Sequence, residues 1–192
     1  AGGDGLSRSI HFYGKDGKPV HRIFLTPASS VNGFEEIVER FLHPTQSRTQ
    51  TVDLHFGIPA RVSREDVNRE IFLERWAGMR DTREFFTLLH DFQLSRQDAF
   101  LLGERRFTQR LAPELLYDVL RSFVRRKIPL VMLVGHSACV QIFRGVLKRI
   151  ADWQSDVTAT AAQVQARFRK AAIATAWLVD KPTREGAIRS LE

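Results

Sequence analysis

An α+β fold, with a largely antiparallel β-sheet and helices packed on it, follows from three features of the 192-residue chain. Strand-like and helix-like segments come in separate blocks rather than in strict alternation. The β-rich runs are short and joined by turn dipeptides such as Asp16-Gly17. The helix-like segments begin at cap-forming residues.

The first block is the hairpin "SIHFYGKDGKPVHRIFLT", with strands expected at 8–13 and 20–25 on either side of that dipeptide. Helices are expected near 33–43, 64–79, 82–92 and 96–103. Each follows a pair with capping-box spacing or its near relative: Asn32 with Glu35, Ser63 with Asp66, Asp81 with Glu84, Ser95 with Asp98. A fifth helix, 113–126, opens on Pro113, a residue suited to a first helical turn. "PLVMLVG" and "CVQIFRG" read as buried strands, with weaker strands at 105–111, 163–169 and 187–192. The polar stretch 44–62, rich in Pro, Ser, Thr and Gln, has the composition of a linker.

Composition narrows the function classes. The chain is 43% hydrophobic and 27% charged, as ordinary globular proteins are, and no apolar run has the roughly 20 residues a membrane span needs. Membrane insertion is therefore not expected. The single Cys139 cannot form an internal disulfide, which points to a cytoplasmic setting. A net charge of +7 favours an anionic partner: nucleic acid, a membrane surface or a carboxylate-bearing ligand. The absence of an initiator Met suggests a processed or trimmed start.

Three local patterns carry possible chemistry. "VMLVGHSACV" has the look of a nucleophile elbow, but Cys139 replaces the second glycine and a strand follows where a helix is required. No histidine follows Ser137 to act as base, so a turn between two antiparallel strands is the better reading and no catalytic residue is assigned. "DFQLSRQDAFLLGERRFTQRL" could form half of a helix-turn-helix, with Arg105, Arg106 and Arg110 reaching phosphates, though its short apolar helix leaves little face for reading bases. In "RDTREFFTLLHDF" the residues Phe85, Leu88, Leu89 and Phe92 form one apolar stripe, which turns Arg83 and His90 outward on a common face two turns apart.

The two ends of the chain are similar. Glu185, Gly186, Arg189, Ser190 and Leu191 fall on Asp4, Gly5, Arg8, Ser9 and Ile10 without a gap, as in a tandem repeat cut within a unit. The strings "WAGMRDTREFFTLLHDFQLSRQDAFLLG", "IPLVMLVGHSACVQIFRG", "AAIATAWLVDKPTREGAIRSLE" and "SIHFYGKDGKPVHRIFL" together resemble the repeat of the HemS/ChuX-type haem utilisation proteins. The resemblance implies a cytoplasmic protein that binds haem or a related tetrapyrrole and carries or degrades it. It also implies a HemS/ChuX-like repeat organisation. Residues 1–43 would be the closing hairpin and helix of a first repeat, 44–62 a linker, and 63–192 a second repeat lacking its closing hairpin. An open apolar sheet edge of this kind would admit pairing with a second copy.

Site residues carry over with one substitution. Arg83 stands where the family's string has its axial histidine, and a guanidinium, always charged and without a free lone pair, cannot ligate iron. Arg96 and Lys181 match positions beside the haem propionates. His90 and, behind it, His136 are the remaining candidates for a metal donor. Haem binding, weakened by Arg83 in the axial position, is the first expectation. A regulatory or structural relative that binds no haem is the second, and a nucleic-acid-binding module the third.

Overall fold

The computed structural model describes residues 7–55, 61–136, 139–162 and 164–192. They divide between two compact units: Ala1–Ile58 with Leu133–Gln141, and Pro59–Met132 with Ile142–Glu192. The paired ends Asp4 and Gly5 of the internal similarity, and Ser137 of the rejected elbow, lie outside the described residues.

In the first unit β1 (Ser9–Tyr13) and β2 (Pro19–Phe24) pair antiparallel, with Ser9 opposite Phe24 and Phe12 opposite His21. The Asp16-Gly17 turn forms as the sequence predicts. Gly17 has φ +77°, a conformation that costs glycine little, and Asp16 accepts a bond from the Lys18 N–H at 3.1 Å. Helix α1 (Val31–Phe41) begins two residues before the expected start, because Ser30 rather than Asn32 caps it, accepting from the Gly33 N–H at 3.1 Å.

The second unit holds two apolar cores. The first is built by α2 (Arg69–Ala77), α3 (Glu84–Asp91), α4 (Arg96–Leu102) and the strands β3 (Thr108–Leu111) and β9 (Ala176–Thr183). Phe72, Trp76, Phe85, Phe100, Trp177 and Val179 fill it. Trp76 lies parallel to Phe107 at 5.2 Å and donates its indole N–H to the Asp180 carbonyl at 3.0 Å, which fastens α2 to β9. The second core packs α5 (Leu115–Arg126) against β6 (Arg149–Asp152), β7 (Asp156–Thr160) and β8 (Gln165–Arg169) around Leu120, Leu147, Ala159 and Ala161.

Among the described residues the strands form four small sheets. β1 pairs with β2, β4 (Pro129–His136) pairs with β5 (Cys139–Val146), β7 lies between β6 and β8, and β9 lies between β3 and β10 (Gly186–Leu191). The β1–β2, β6–β7–β8 and β3–β9–β10 pairings are all antiparallel. The helix expected over 64–79 is broken. A single 3₁₀ turn, Arg64–Asp66, gives way to extended backbone at Val67, and α2 restarts from Asn68, whose side chain accepts from the N–H groups of Glu70 and Ile71.

Candidate functional site

Ser95 starts α4 as the sequence predicts: its hydroxyl accepts from the Asp98 N–H at 3.0 Å and donates to the Asp98 carboxylate. That cap fixes Arg96 in the first helical turn. On β9 the two-residue alternation carries Trp177, Val179 and Lys181 on one face; the first two are buried in the core and the Lys181 side chain is 11% exposed. Glu192 continues β10 beyond Leu191, its N–H donating to the Trp177 carbonyl at 2.8 Å and its carbonyl accepting from the Trp177 N–H at 2.7 Å.

The three side chains meet. Arg96 donates to one carboxylate oxygen of Glu192 and Lys181 to the other, while the Ser190 hydroxyl adds a bond at 2.8 Å. Phe85, buried at the start of α3, lies beneath both cations, with its ring centre 5.7 Å from the Arg96 guanidinium and 5.1 Å from the Lys181 ammonium. Phe86, 62% exposed, takes the Arg96 guanidinium at 5.3 Å. Burial pushes the Glu192 carboxyl up, but the bond and charge of Lys181 and the charge of Arg96 outweigh it and leave the group below its ordinary value. The arrangement is a half-buried pair of cations on an aromatic floor, beside an exposed ring, a geometry with the chemistry to hold a carboxylate.

The other expected site residues lie apart from this cluster. Arg83 precedes α3 and clasps Asp81 with two bonds, Nε at 2.9 Å and Nη2 at 2.8 Å, while its side chain is 86% exposed. The hydrogen bonds from Arg83 hold the Asp81 carboxyl down to about 2. His90, in the last turn of α3, is also largely exposed, with Nδ1 3.7 Å from an oxygen of Asp91. Both point outward as the stripe of apolar residues requires. Among the described residues, no hydrogen bond or ion pair joins either to the Arg96–Lys181–Glu192 cluster. His136 ends β4, and its side chain lies outside the described residues. Among the described residues, no group of three or more His, Cys, Asp or Glu is placed to hold a metal ion.

The haem group that the resemblance implies therefore meets two different local chemistries. The cations Arg96 and Lys181 fit its carboxylates, as their capture of the Glu192 carboxylate shows. At Arg83, a guanidinium already clasped by Asp81 does not fit its iron. Sequence reasoning missed Glu192, Phe85 and Phe86 as members of the site. The Phe85-Phe86 doublet and the Ser-Leu-Glu ending were visible, but only the convergence of α3, α4 and β9 gives them a shared purpose.

The helix-turn-helix does not form. α4 ends at Leu102, and the chain turns back through Gly103, whose carbonyl accepts from the N–H groups of Arg106, Phe107 and Thr108, into β3. Arg105, Arg106 and Arg110 instead line a shallow cavity of about 410 Å³ with Leu178, Asp180 and Arg189. No helix among the described residues is long and apolar enough to cross a membrane.

Comparison with known proteins finds haem proteins among those the chain is similar to. The haemin transport protein HmuS of Yersinia pestis is 24% identical over 188 residues, which cover 98% of this chain and 54% of that protein; HemS of Yersinia enterocolitica matches to the same extent. The chain thus spans about half the length of these curated relatives. The crystal structure of holo-PhuS, a heme-binding protein from Pseudomonas aeruginosa, superposes with a TM-score of 0.91 at 25% identity over 100% of this chain and 56% of that one. ChuS, an E. coli heme oxygenase, gives 0.83 at 25% identity, again over 100% of this chain and 56% of its own. The haemin-degrading HemS.ChuX domain matches residues 93–192, more than half of the chain and the part that carries Arg96, Lys181 and Glu192. The chain belongs to the haemin-degrading HemS.ChuX domain family.

Proposed function

We propose that the chain is the haem-handling part of a cytoplasmic haem utilisation protein, and that it holds haem chiefly by its carboxylates. The observation that carries this reading is the meeting of Arg96 and Lys181 over Phe85 around a single carboxylate. Arg96 and Lys181 would hold the propionates, and Phe86 would offer an apolar face to the macrocycle. Bound haem would supply redox-active iron; this chain's residues would orient the porphyrin and neutralise its carboxylates. Arg83 lends no ligand, so binding is weaker than an axial histidine would give. The heme-binding and heme-oxygenase descriptions of PhuS and ChuS support the ligand class.

The repeat reading accompanies this proposal: 1–43 as the end of a first repeat, 44–62 as linker, 63–192 as most of a second. The hairpin and α1 falling in a different compact unit from the aromatic core supports it. Pairing of two copies through β10 is part of the same reading, supported by its position at a sheet edge with Ile188 half-exposed.

The alternative is a relative that regulates without binding haem, in which the Arg83 position, clasped by Asp81, supplies no iron ligand. A haemin titration followed in the Soret band separates the two. A saturable shift in the wild-type chain that Lys181→Met weakens supports haem handling. No saturable shift in the wild-type chain or in its Glu192→Gln variant supports the second reading.

A further inference from the structure

Arg96 and Lys181 are not free cations waiting for a ligand. Each already donates to a separate oxygen of the Glu192 carboxylate, and Ser190 holds one of those oxygens as well. The three charges sum to one positive, so an arriving carboxylate meets a cation pair whose charge is half neutralised, with a like charge at its centre. Glu192 cannot leave as a segment, because its backbone is paired with Trp177 through both its N–H and its carbonyl. Its side chain can leave by rotating about its own bonds. The exposures give a direction to the exchange: Arg96 is 41% exposed and lies against the exposed Phe86, whereas Lys181 is 11% exposed over the buried Phe85.

We propose that Glu192 is an internal surrogate for the ligand's carboxylate, which closes the cation pair and has to be displaced by a propionate for haem to bind. The inference rests on the haem-handling reading and adds a competitor to it. An incoming carboxylate meets Arg96 first, at the open side beside Phe86, and gains Lys181 only as Glu192 rotates away. The contact with Glu192 thereby gives the nearly buried Lys181 ammonium a counter-charge. The same contact discriminates against ligands with no carboxylate, since these cannot replace what Glu192 provides.

The test compares wild type with Glu192→Gln, which removes the charge while keeping the shape and the backbone bonds. The probes are haemin and haemin dimethyl ester, whose carboxylates are capped. Haemin is expected to bind Glu192→Gln more tightly by on the order of tenfold, within the usual span of linked equilibria, and the dimethyl ester is expected to bind both proteins equally. Adding Lys181→Met to Glu192→Gln should erase the gain. If Glu192→Gln binds haemin equally or less tightly, while the wild type still binds it saturably, Glu192 is a positioning residue and the surrogate role is wrong, although haem handling stands. An equal gain for haemin and its ester also overturns the proposal. If neither protein binds haemin, the haem-handling reading and this one fall together; binding by Glu192→Gln alone supports both. Should Glu192→Gln lose its fold by circular dichroism, Glu192→Asp, one methylene shorter, takes its place and is expected to tighten haemin by a smaller factor.

Discussion

Two clusters of charge flank α3, and they are built differently. At its start, Arg83 clasps Asp81, a partner only two residues away, and the pair is mostly in water. At the other cluster, Arg96, Lys181 and Glu192 come from α4, β9 and the end of β10, are linked across up to 96 residues of sequence, and rest on Phe85. The first pair is stronger in geometry, with two well-directed bonds. The second is stronger in consequence, because Lys181 and Glu192 are largely removed from solvent. An ion pair made by neighbours along the chain survives almost any tertiary arrangement, so it says little about what the fold is for. A charge cluster assembled from three elements exists only if the fold is right, and it can therefore be a site.

The largest test of the contrast is removal of the floor under the second cluster. Phe85→Ala should cost about 3–5 kcal/mol, the usual range for deleting a core phenylalanine, read as a lower denaturant midpoint. A loss below about 1 kcal/mol would mean that Phe85 does not support the core as its burial implies. Next in size is Lys181→Met. It leaves the poorly exposed Glu192 with Arg96 as its remaining cation, so stability should fall by about 1–3 kcal/mol, and haemin affinity should fall with it.

The acid limb of stability sharpens the comparison further. The folded Glu192 carboxyl lies below its ordinary 4.5, so as pH falls through that range the unfolded chain takes up protons before the folded one does. The cluster's contribution is therefore complete above about pH 4.5 and is lost as pH falls through the depressed folded value. Glu192→Gln should flatten that limb in a series of unfolding curves. Asp81 is also held down, by its bonds from Arg83, but its pair is exposed, and added salt should erase whatever Asp81 contributes.

The smallest energetic effects belong to the first cluster. Arg83→His should leave the unfolding midpoint in place while sharpening the haemin-loaded spectrum towards a six-coordinate Soret band, because an imidazole would replace a group that cannot ligate. His90→Ala should change neither quantity. A haemin spectrum that collapses in His90→Ala would make that exposed histidine the iron ligand.

Much of this frame is legible in the sequence. The hairpin turn at Asp16-Gly17 and the Ser95 cap that positions Arg96 are local features, and both form as read. β9 was not legible, although it carries Lys181. Its run "AWLVDKPT" contains Pro182, which argues against a central strand. The structure explains the tolerance: β3 pairs with β9 only from Ala176 to Val179, so Pro182 lies past the end of that ladder and needs no partner on that side. β6 and β7 were missed for another reason. They have four and five residues, and the alternation in β7, Asp-Val-Thr-Ala-Thr, is short and weakly apolar. The helix break at Val67 was hidden because Ser63 and Asp66 mimic a capping box, while the true cap, Asn68, stands five residues later. Glu192 could not be assigned from the sequence at all, since an acidic residue gains its meaning here only from two cations brought in from elsewhere.

The placement of the three tryptophans gives the molecule an optical readout of its own. Trp76 and Trp177 are buried, and Trp153 is 63% exposed. The two sealed indoles should emit to the blue of the exposed one, and a dissolved quencher such as iodide should extinguish only the red part. Trp177 is paired through its backbone with Glu192 and lies on the same strand face as Lys181, so the blue component is the one nearest to the carboxylate exchange. Porphyrin absorption overlaps tryptophan emission, and energy transfer from this indole should make the blue band fade first as the ligand settles, before any change in absorbance has to be resolved.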